Sequence, residues 1–213
     1  MAYPDLADIR YRVRTILNET TAALWTDNIL NRAINDGQRD LAIKGSCIIN
    51  VDSLTTTAST RFVQFMGYMV KAVEYLPSTG TKRGLPRITP HMVGHLPTSG
   101  SIPRYWYQWG KQIGIEPVPD ASYNLSVTII DFPTTELSSD TDEPEIPAAY
   151  NNLLTIYAAY RALMRPSKYG TSGILYREYL SALNSIKKQY SDTIPDGYSE
   201  FLIPPQTIQR GIS

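Results

Sequence analysis

The chain has 213 residues, of which 42% are hydrophobic and 19% are charged, and its 20 basic and 20 acidic side chains give a formal net charge of zero. A dedicated double-stranded DNA-binding protein usually carries a basic excess, so this balance argues against nucleic acid as the primary ligand. No apolar run reaches the roughly 18 residues of a membrane-spanning helix, and the N-terminal segment lacks the apolar region of a signal peptide. Cys47 is the only cysteine, which excludes an intrachain disulfide and a thiolate zinc site built from one chain.

A first amphipathic helix is predicted over residues 4–18, where Pro4 and Asp5 suit its first turn. Its apolar residues recur at helical spacing and should face the core: Leu6, Ile9, Val13, Ile16 and Leu17. Three arginines fall largely off this face: Arg10, Arg12 and Arg14. They form either a solvated face or a contact with a partner.

A second helix is predicted from the N-cap Thr26 to Gly45. Its inward stripe consists of Ile29, Leu30, Ala33, Ile34, Leu41 and Ala42. Gly37 lies within this stripe, although glycine inside a helix costs about 1 kcal/mol relative to alanine. The glycine therefore indicates that another backbone approaches the helix closely.

Residues 48–137 have the composition of a β segment that contains a long loop, 78–101, dense in Gly, Pro, Ser and Thr. Two strands are predicted around Gly110 and Lys111. The stretch "IGIEPVPDASYNLSVTIIDFP", residues 113–133, predicts a β-hairpin that closes the segment and ends at a proline. Its second strand alternates Leu125, Val127 and Ile129, the pattern of a half-buried strand.

After an acidic linker, 138–145, two more helices are predicted. The first starts at Pro147 and stops at Pro166, and the second covers roughly residues 172–190. We therefore predict an α+β fold in which 1–47 and 146–190 form a helical body and the antiparallel β sub-module is inserted between them.

An aperiodic, extended tail is predicted over residues 191–213. Apolar anchors alternate with prolines in this segment: Tyr198, Phe201, Leu202, Ile203 and Ile208. Apolar residues in a tail that cannot form a core suggest docking onto another surface, against the simple alternative of a disordered end.

The sequence offers little for catalysis or cofactor binding. His91 and His95 have the spacing of two metal ligands on a helix, but flanking prolines and Gly94 favour surface histidines in a loop. No serine elbow or phosphate-binding loop is present, so we expect no enzyme activity, metal or cofactor. An aromatic cluster could instead stack on sugars or bases: Tyr105, Trp106, Tyr107 and Trp109.

Three stretches, in this order, resemble the head-to-tail connector proteins of tailed bacteriophages, also called adaptors or gatekeepers. They are "LWTDNILNRAINDGQRDLA", the 113–133 stretch, and the pair "EIPAAYNNLLTIYAAYRALM" and "YREYLSALNSIKK". The resemblance covers most of residues 5–190 but neither the long loop nor the tail. The family-like residues of its second helix are Trp25, Asp27, Asn35, Asp36, Arg39 and Asp40.

The resemblance implies a non-enzymatic virion protein at the head–tail junction, assembled in the host cytoplasm. Such proteins form rings of about a dozen copies that join portal to tail or nozzle protein and prolong the DNA channel, through which DNA passes without sequence recognition. The three N-terminal arginines would then face a neighbour's acidic linker or the channel, and the tail anchors would dock on a neighbour or the portal. The competing hypothesis is a glycan- or host-surface-binding module that uses the aromatic cluster.

Overall fold

The computed structural model describes residues 4–19, 22–96, 102–164 and 169–191. In these ranges the chain has four helices: α1 (Leu6–Leu17), α2 (Asp27–Gly45), α3 (Asn151–Met164) and α4 (Tyr169–Ser191). Seven strands lie between α2 and α3: β1 (Ile49–Thr55), β2 (Phe62–Gln64), β3 (Met69–Leu76), β4 (Arg83–Leu85), β5 (Tyr105–Trp109), β6 (Gln112–Glu116) and β7 (Asn124–Ile130). The predicted α+β class is confirmed. Of the described helices, none is long and apolar enough to span a bilayer.

The chain forms two compact units. Within the described residues, the first unit comprises the chain up to Val51, Gly67–Lys71 and the residues from Thr128 onward. The second unit comprises Asp52–Met66 and Ala72–Val127. The first unit contains the four helices, which share one hydrophobic core.

Helix α1 begins as the sequence predicts, because Asp5 is its N-cap and accepts a hydrogen bond from the Asp8 N–H at 2.9 Å. Its buried face contains Leu6, Ile9, Val13 and Leu17. Ile16 was expected on the same face, but it is 42% exposed. It lies on the flank of the buried stripe in the last turn, so the prediction for this residue was wrong.

The tight packing predicted at Gly37 is present, but side chains rather than backbone approach the helix. A Cβ atom at this position would lie 2.8 Å from Leu154 Cδ1 and 2.9 Å from Tyr157 Cδ1. Helix α3 therefore packs directly over the glycine. The end of α2 at Gly45 is also as predicted, and Ser46 follows it in the left-handed conformation.

The two sheets contain four and three strands, in the orders β1-β7-β3-β4 and β2-β6-β5. The hairpin predicted for residues 113–133 is wrong, because β6 and β7 belong to different sheets. Each strand is central in its own sheet, so β6 already pairs with β2 and β5 and has no free side for β7. The two strands predicted around Gly110 are present as β5 and β6, and they pair antiparallel with Tyr107 opposite Gly114.

Strand β7 is also more deeply buried than its alternation predicts. Leu125, Val127 and Ile129 are fully buried on one face, but Ser126 and Ile130 on the other face are buried as well. The strand has neighbours on both sides, and its second face is covered even though Ser126 and Thr128 alternate with the apolar residues. The half-buried assignment was therefore wrong.

The remaining segments agree with the sequence in part. The loop 78–101 contains short pieces of structure, namely β4 and a 3-10 turn at Pro90–His95. Pro147 precedes the 3-10 turn that leads into α3, while α4 begins three residues before the predicted start at 172. Pro166 and the tail anchors Tyr198, Phe201, Leu202, Ile203 and Ile208 lie outside the described residues.

Candidate functional site

Two of the three N-terminal arginines pair with acidic side chains of their own chain. Arg14 donates to Asp27 at 2.7 Å and lies 3.7 Å from Glu19, beyond hydrogen-bond distance. Arg10 makes a short hydrogen bond to Asp140, in the acidic linker, and also lies 3.7 Å from Asp27. The side chains of Arg10 and Arg14 are only 13% and 12% exposed. Arg12, in contrast, is exposed.

These arginines fix the connection between α1 and α2. The hydrogen bond from Arg14 holds the pKa of Asp27 below its ordinary value. Glu19 accepts from the N–H groups of Ala23, Leu24 and Trp25 at 2.9, 2.5 and 3.2 Å. Desolvation would raise the pKa of Glu19, but the backbone hydrogen bonds and Arg14 lower it overall. Glu19 was missed at the sequence level, because the N–H groups that it binds lie in the irregular segment before α2 and leave no periodic pattern.

Asn35, at the centre of the family-like motif, binds the backbone of Leu137 in both directions. Its Nδ2 donates to the Leu137 carbonyl at 2.9 Å, and its Oδ1 accepts from the Leu137 N–H at 2.9 Å. One turn later, Gln38 also binds this segment, because its Oε1 accepts from the Glu145 N–H at 2.9 Å. The polar face of α2 therefore holds the segment 137–145 in place.

The other motif side chains link α2 to the rest of the first unit. Arg39 pairs with Glu136 at 2.6 Å, and Asp36 pairs with Arg161 of α3 at 3.4 Å. Asp40 accepts from the Tyr179 hydroxyl of α4 at 2.5 Å. At the start of α2, the indole N–H of Trp25 donates to the Ala162 carbonyl at 3.1 Å. Each of these side chains makes a specific contact within the first unit that its residue type alone does not predict.

The acidic linker is largely exposed, as expected of a solvated linker, and its backbone is also bonded into this arrangement. The carbonyls of Asp140 and Asp142 accept from the first N–H groups of α1, those of Ala7 and Leu6, at 3.1 and 2.9 Å. The carboxylate of Asp142 accepts from the N–H groups of Ser138 and Ser139, and these bonds lower its pKa. Within the described ranges no group of three or more His, Cys, Asp or Glu side chains could hold a metal ion.

Two polar depressions, of about 430 and 530 Å³, lie along the exposed side of α2 and share Arg32 and Asp36. The larger one is lined by Asn28, Asn31, Arg32, Asn35, Asp36, Arg39, Glu136, Leu137 and Ser138. Asp36 and Glu136 are each paired with an arginine. Both carboxylates are therefore engaged in ion pairs that hold segments of the first unit together.

The histidines and the cysteine occupy structural or surface positions. His91 and His95 are exposed on a 3-10 turn, as predicted for surface residues, and His91 Nε2 lies 3.2 Å from Thr89 Oγ1. Residues four apart do not share a face of a 3-10 helix, which has about three residues per turn. Burial raises the pKa of the Cys47 thiol to about 11, so the thiol is protonated at neutral pH.

The aromatic cluster of the second unit does not form a continuous surface. Trp106 and Tyr107 are 1% and 3% exposed, whereas Trp109 is 60% exposed. Tyr107 lies over Gly114, where a Cβ atom would come within 2.2 Å of the ring, and it makes an edge contact with Phe62 at 6.1 Å. The expectation of a binding surface made by all four aromatics is therefore wrong.

Beyond this cluster, several large apolar side chains are exposed without having been singled out in the sequence: Tyr11, Leu24, Ile49, Val51, Met66 and Ile174. In the first unit, Ile49 and Val51 are two residues apart on β1 and 38% and 67% exposed. The only sequence signal for them is that two apolar residues alternate with polar ones at the start of the β segment.

A family model described as SU10 adaptor protein matches residues 4–199. The match includes all four helices and both sheets. No curated protein matches the chain.

Proposed function

This chain belongs to the SU10 adaptor protein family, and on that premise we propose that it joins the portal of a phage head to the tail. The family assignment makes it a phage structural adaptor and a virion component. In the proposed assembly, about a dozen copies form a ring between the portal and a tail or nozzle protein and prolong the DNA channel. The ring assembles in the host cytoplasm and performs no catalysis.

The single observation that carries this proposal is the family match over residues 4–199. The internal ion pairs are consistent with it. Because Arg10 and Arg14 are neutralised by Asp27 and Asp140, α1 does not present a continuous basic stripe to a nucleic acid. DNA that passes the ring would therefore find no continuous row of basic side chains on α1 to hold its phosphates.

A closed ring needs two different complementary faces on each subunit. We assign one contact to the exposed side of α1, where Arg12 is exposed and Tyr11 is 74% exposed. Arg12 is thus the member of the arginine set that faces a neighbour or the channel, while Arg10 and Arg14 support it from within the fold. The tail anchors provide the second contact, on a neighbour or on the portal.

The proposal can be tested by coexpressing the chain with its portal protein and measuring the mass of the purified complex. We expect a complex whose mass corresponds to a ring of chains on the portal, and Arg12→Glu should weaken it while leaving the free chain as stable as wild type. Arg12→Lys is the matched control, because it keeps the charge. A chain that never copurifies with the portal would contradict the ring. An Arg12→Glu variant that copurifies as well as wild type would contradict the contact assigned to α1.

A further inference from the structure

Strand β1 is an unprotected edge of the four-stranded sheet. In the described strand order it has β7 on one side and no strand on the other. It is seven residues long, and five of these residues are exposed. Its one charged residue is Asp52, and it contains neither lysine nor proline, the residues that most commonly block pairing at natural sheet edges.

The hydrogen bonds at the two ends of β1 show which backbone groups face outward. The Asp131 N–H donates to the Ile48 carbonyl at 3.0 Å, and the Thr56 N–H donates to the Tyr123 carbonyl at 2.9 Å. In an antiparallel pair a residue's N–H and C=O point to the same side, and consecutive residues alternate. Since the even-numbered residues 48 and 56 point toward β7, the outward backbone groups belong to Ile49, Val51, Ser53 and Thr55.

The other sheet edges are protected. Strand β4 has only three residues and is followed by Pro86. Strand β5 is covered by residues 86–88 through two backbone hydrogen bonds. The Ile88 N–H donates to the Trp106 carbonyl at 2.8 Å, and the backbone N–H of Trp106 donates to the Pro86 carbonyl at 3.1 Å. Strand β2, like β4, has three residues. Only β1, of the described edges, offers a long row of outward backbone groups.

We propose that β1 accepts residues 198–203 of another copy of this chain as an added strand. This segment, "YSEFLI", lies outside the described residues and is bounded by Gly197 and by Pro204 and Pro205. Its composition suits a strand, and the two prolines prevent the pairing from extending further. Phe201 and Ile203 are two residues apart and would share one face of an extended strand, the same spacing as the exposed Ile49 and Val51.

A tail that docks on a neighbour's sheet edge gives two different complementary faces, as a closed ring requires. The added strand would supply main-chain hydrogen bonds for affinity, and its side chains would cover Ile49 and Val51 for specificity. The inference rests on the proposed ring, because the ring is the reason for taking the added strand from a neighbouring copy rather than from the same chain. It deepens that proposal by naming the surface on which the tail docks.

The test uses amide hydrogen exchange by NMR on the full chain carrying Phe201→Ser and Ile203→Ser, so that its own tail does not compete. The probe is a synthetic peptide of residues 192–213 with the natural sequence. At saturating peptide, exchange should slow at least tenfold at the outward amides, those of Ile49, Val51, Ser53 and Thr55. The inward amides, those of Asn50, Asp52 and Leu54, should keep their rates.

Three variants complete the test. Val51→Pro removes an outward N–H without removing a bond to β7, and it should abolish peptide binding. A peptide with Ile208→Ser should bind as well as the natural peptide, whereas one with Phe201→Ser and Ile203→Ser should not. Peptide binding that leaves the outward amides unprotected, that survives Val51→Pro, or that is absent would overturn the inference. None of these outcomes depends on ring formation, so a failure here is distinct from a failure of portal association.

Discussion

The double hydrogen bond between Asn35 and Leu137 predicts that a single substitution on α2 will loosen the segment 137–145. Asn35→Ala removes the bond from Nδ2 to the Leu137 carbonyl and the bond from the Leu137 N–H to Oδ1, both 2.9 Å long. Each such bond contributes about 0.5–1.5 kcal/mol net. Leu137 is only 4% exposed, so water replaces these partners poorly. We therefore expect a loss of about 2 kcal/mol in the free energy of unfolding.

The measurement is urea denaturation, with Asn28→Ala as the matched control. Asn28 is an exposed asparagine in the first turn of the same helix, so its substitution removes the same side-chain atoms at a solvated position. The control should change stability by no more than about 0.5 kcal/mol. In the Asn35 variant the amide of Leu137 should also exchange faster. If the two variants have equal stability, or if Leu137 exchange does not change, Asn35 does not hold this segment.

Three further predictions concern other parts of the fold. Gly114→Ala should destabilise the chain by about 1–3 kcal/mol in urea, because its Cβ would lie 2.2 Å from the Tyr107 ring, whereas Gly94→Ala, with nothing within 4 Å, should be close to neutral. Acrylamide should quench the fluorescence of Trp109 and leave that of the two buried tryptophans largely unchanged, so Trp109→Phe should remove the quenchable fraction. Strong quenching in that variant would contradict the burial of the other two tryptophans. The pKa of Asp27 is lowered in the folded chain, so its ionised form stabilises the fold above the unfolded pKa, and this stabilisation is lost as pH falls below about 4. Asp27→Asn should therefore flatten the dependence of the free energy of unfolding on pH in that range. An unchanged slope would exclude the ion pair as its cause.

The sequence predicted the helices well, because their buried faces are defined by local periodicity. The spacing of Leu6, Ile9 and Val13 leaves only one face of α1 to bury, and Gly37 indicated a close contact before the contact was known. Two details of the helices were predicted wrongly: Ile16 is exposed rather than buried, and side chains rather than backbone lie over Gly37. Both depend on the surface that packs against the helix. A partner surface is set by tertiary packing, which local spacing does not encode.

Strand pairing and ion pairing could not be derived in the same way. Both strands of the 113–133 stretch were recognised, but their proximity in sequence suggested a pair where each strand has other neighbours. Likewise, Arg10 was recognised as charged and off the apolar face, but its partner Asp140 is 130 residues away. Asn35 was singled out by resemblance, and only the structure shows that it binds Leu137.

The most direct test of the central claim is imaging of the virions that contain this chain, with a small tag on the chain to locate it. The account predicts a ring of about a dozen tagged copies at the junction between the head and the tail, in contact with the portal. Tagged chains found only on the outer surface of the particle, or absent from it, would contradict the adaptor role and leave Trp109 and its neighbours to be tested for binding to a host surface.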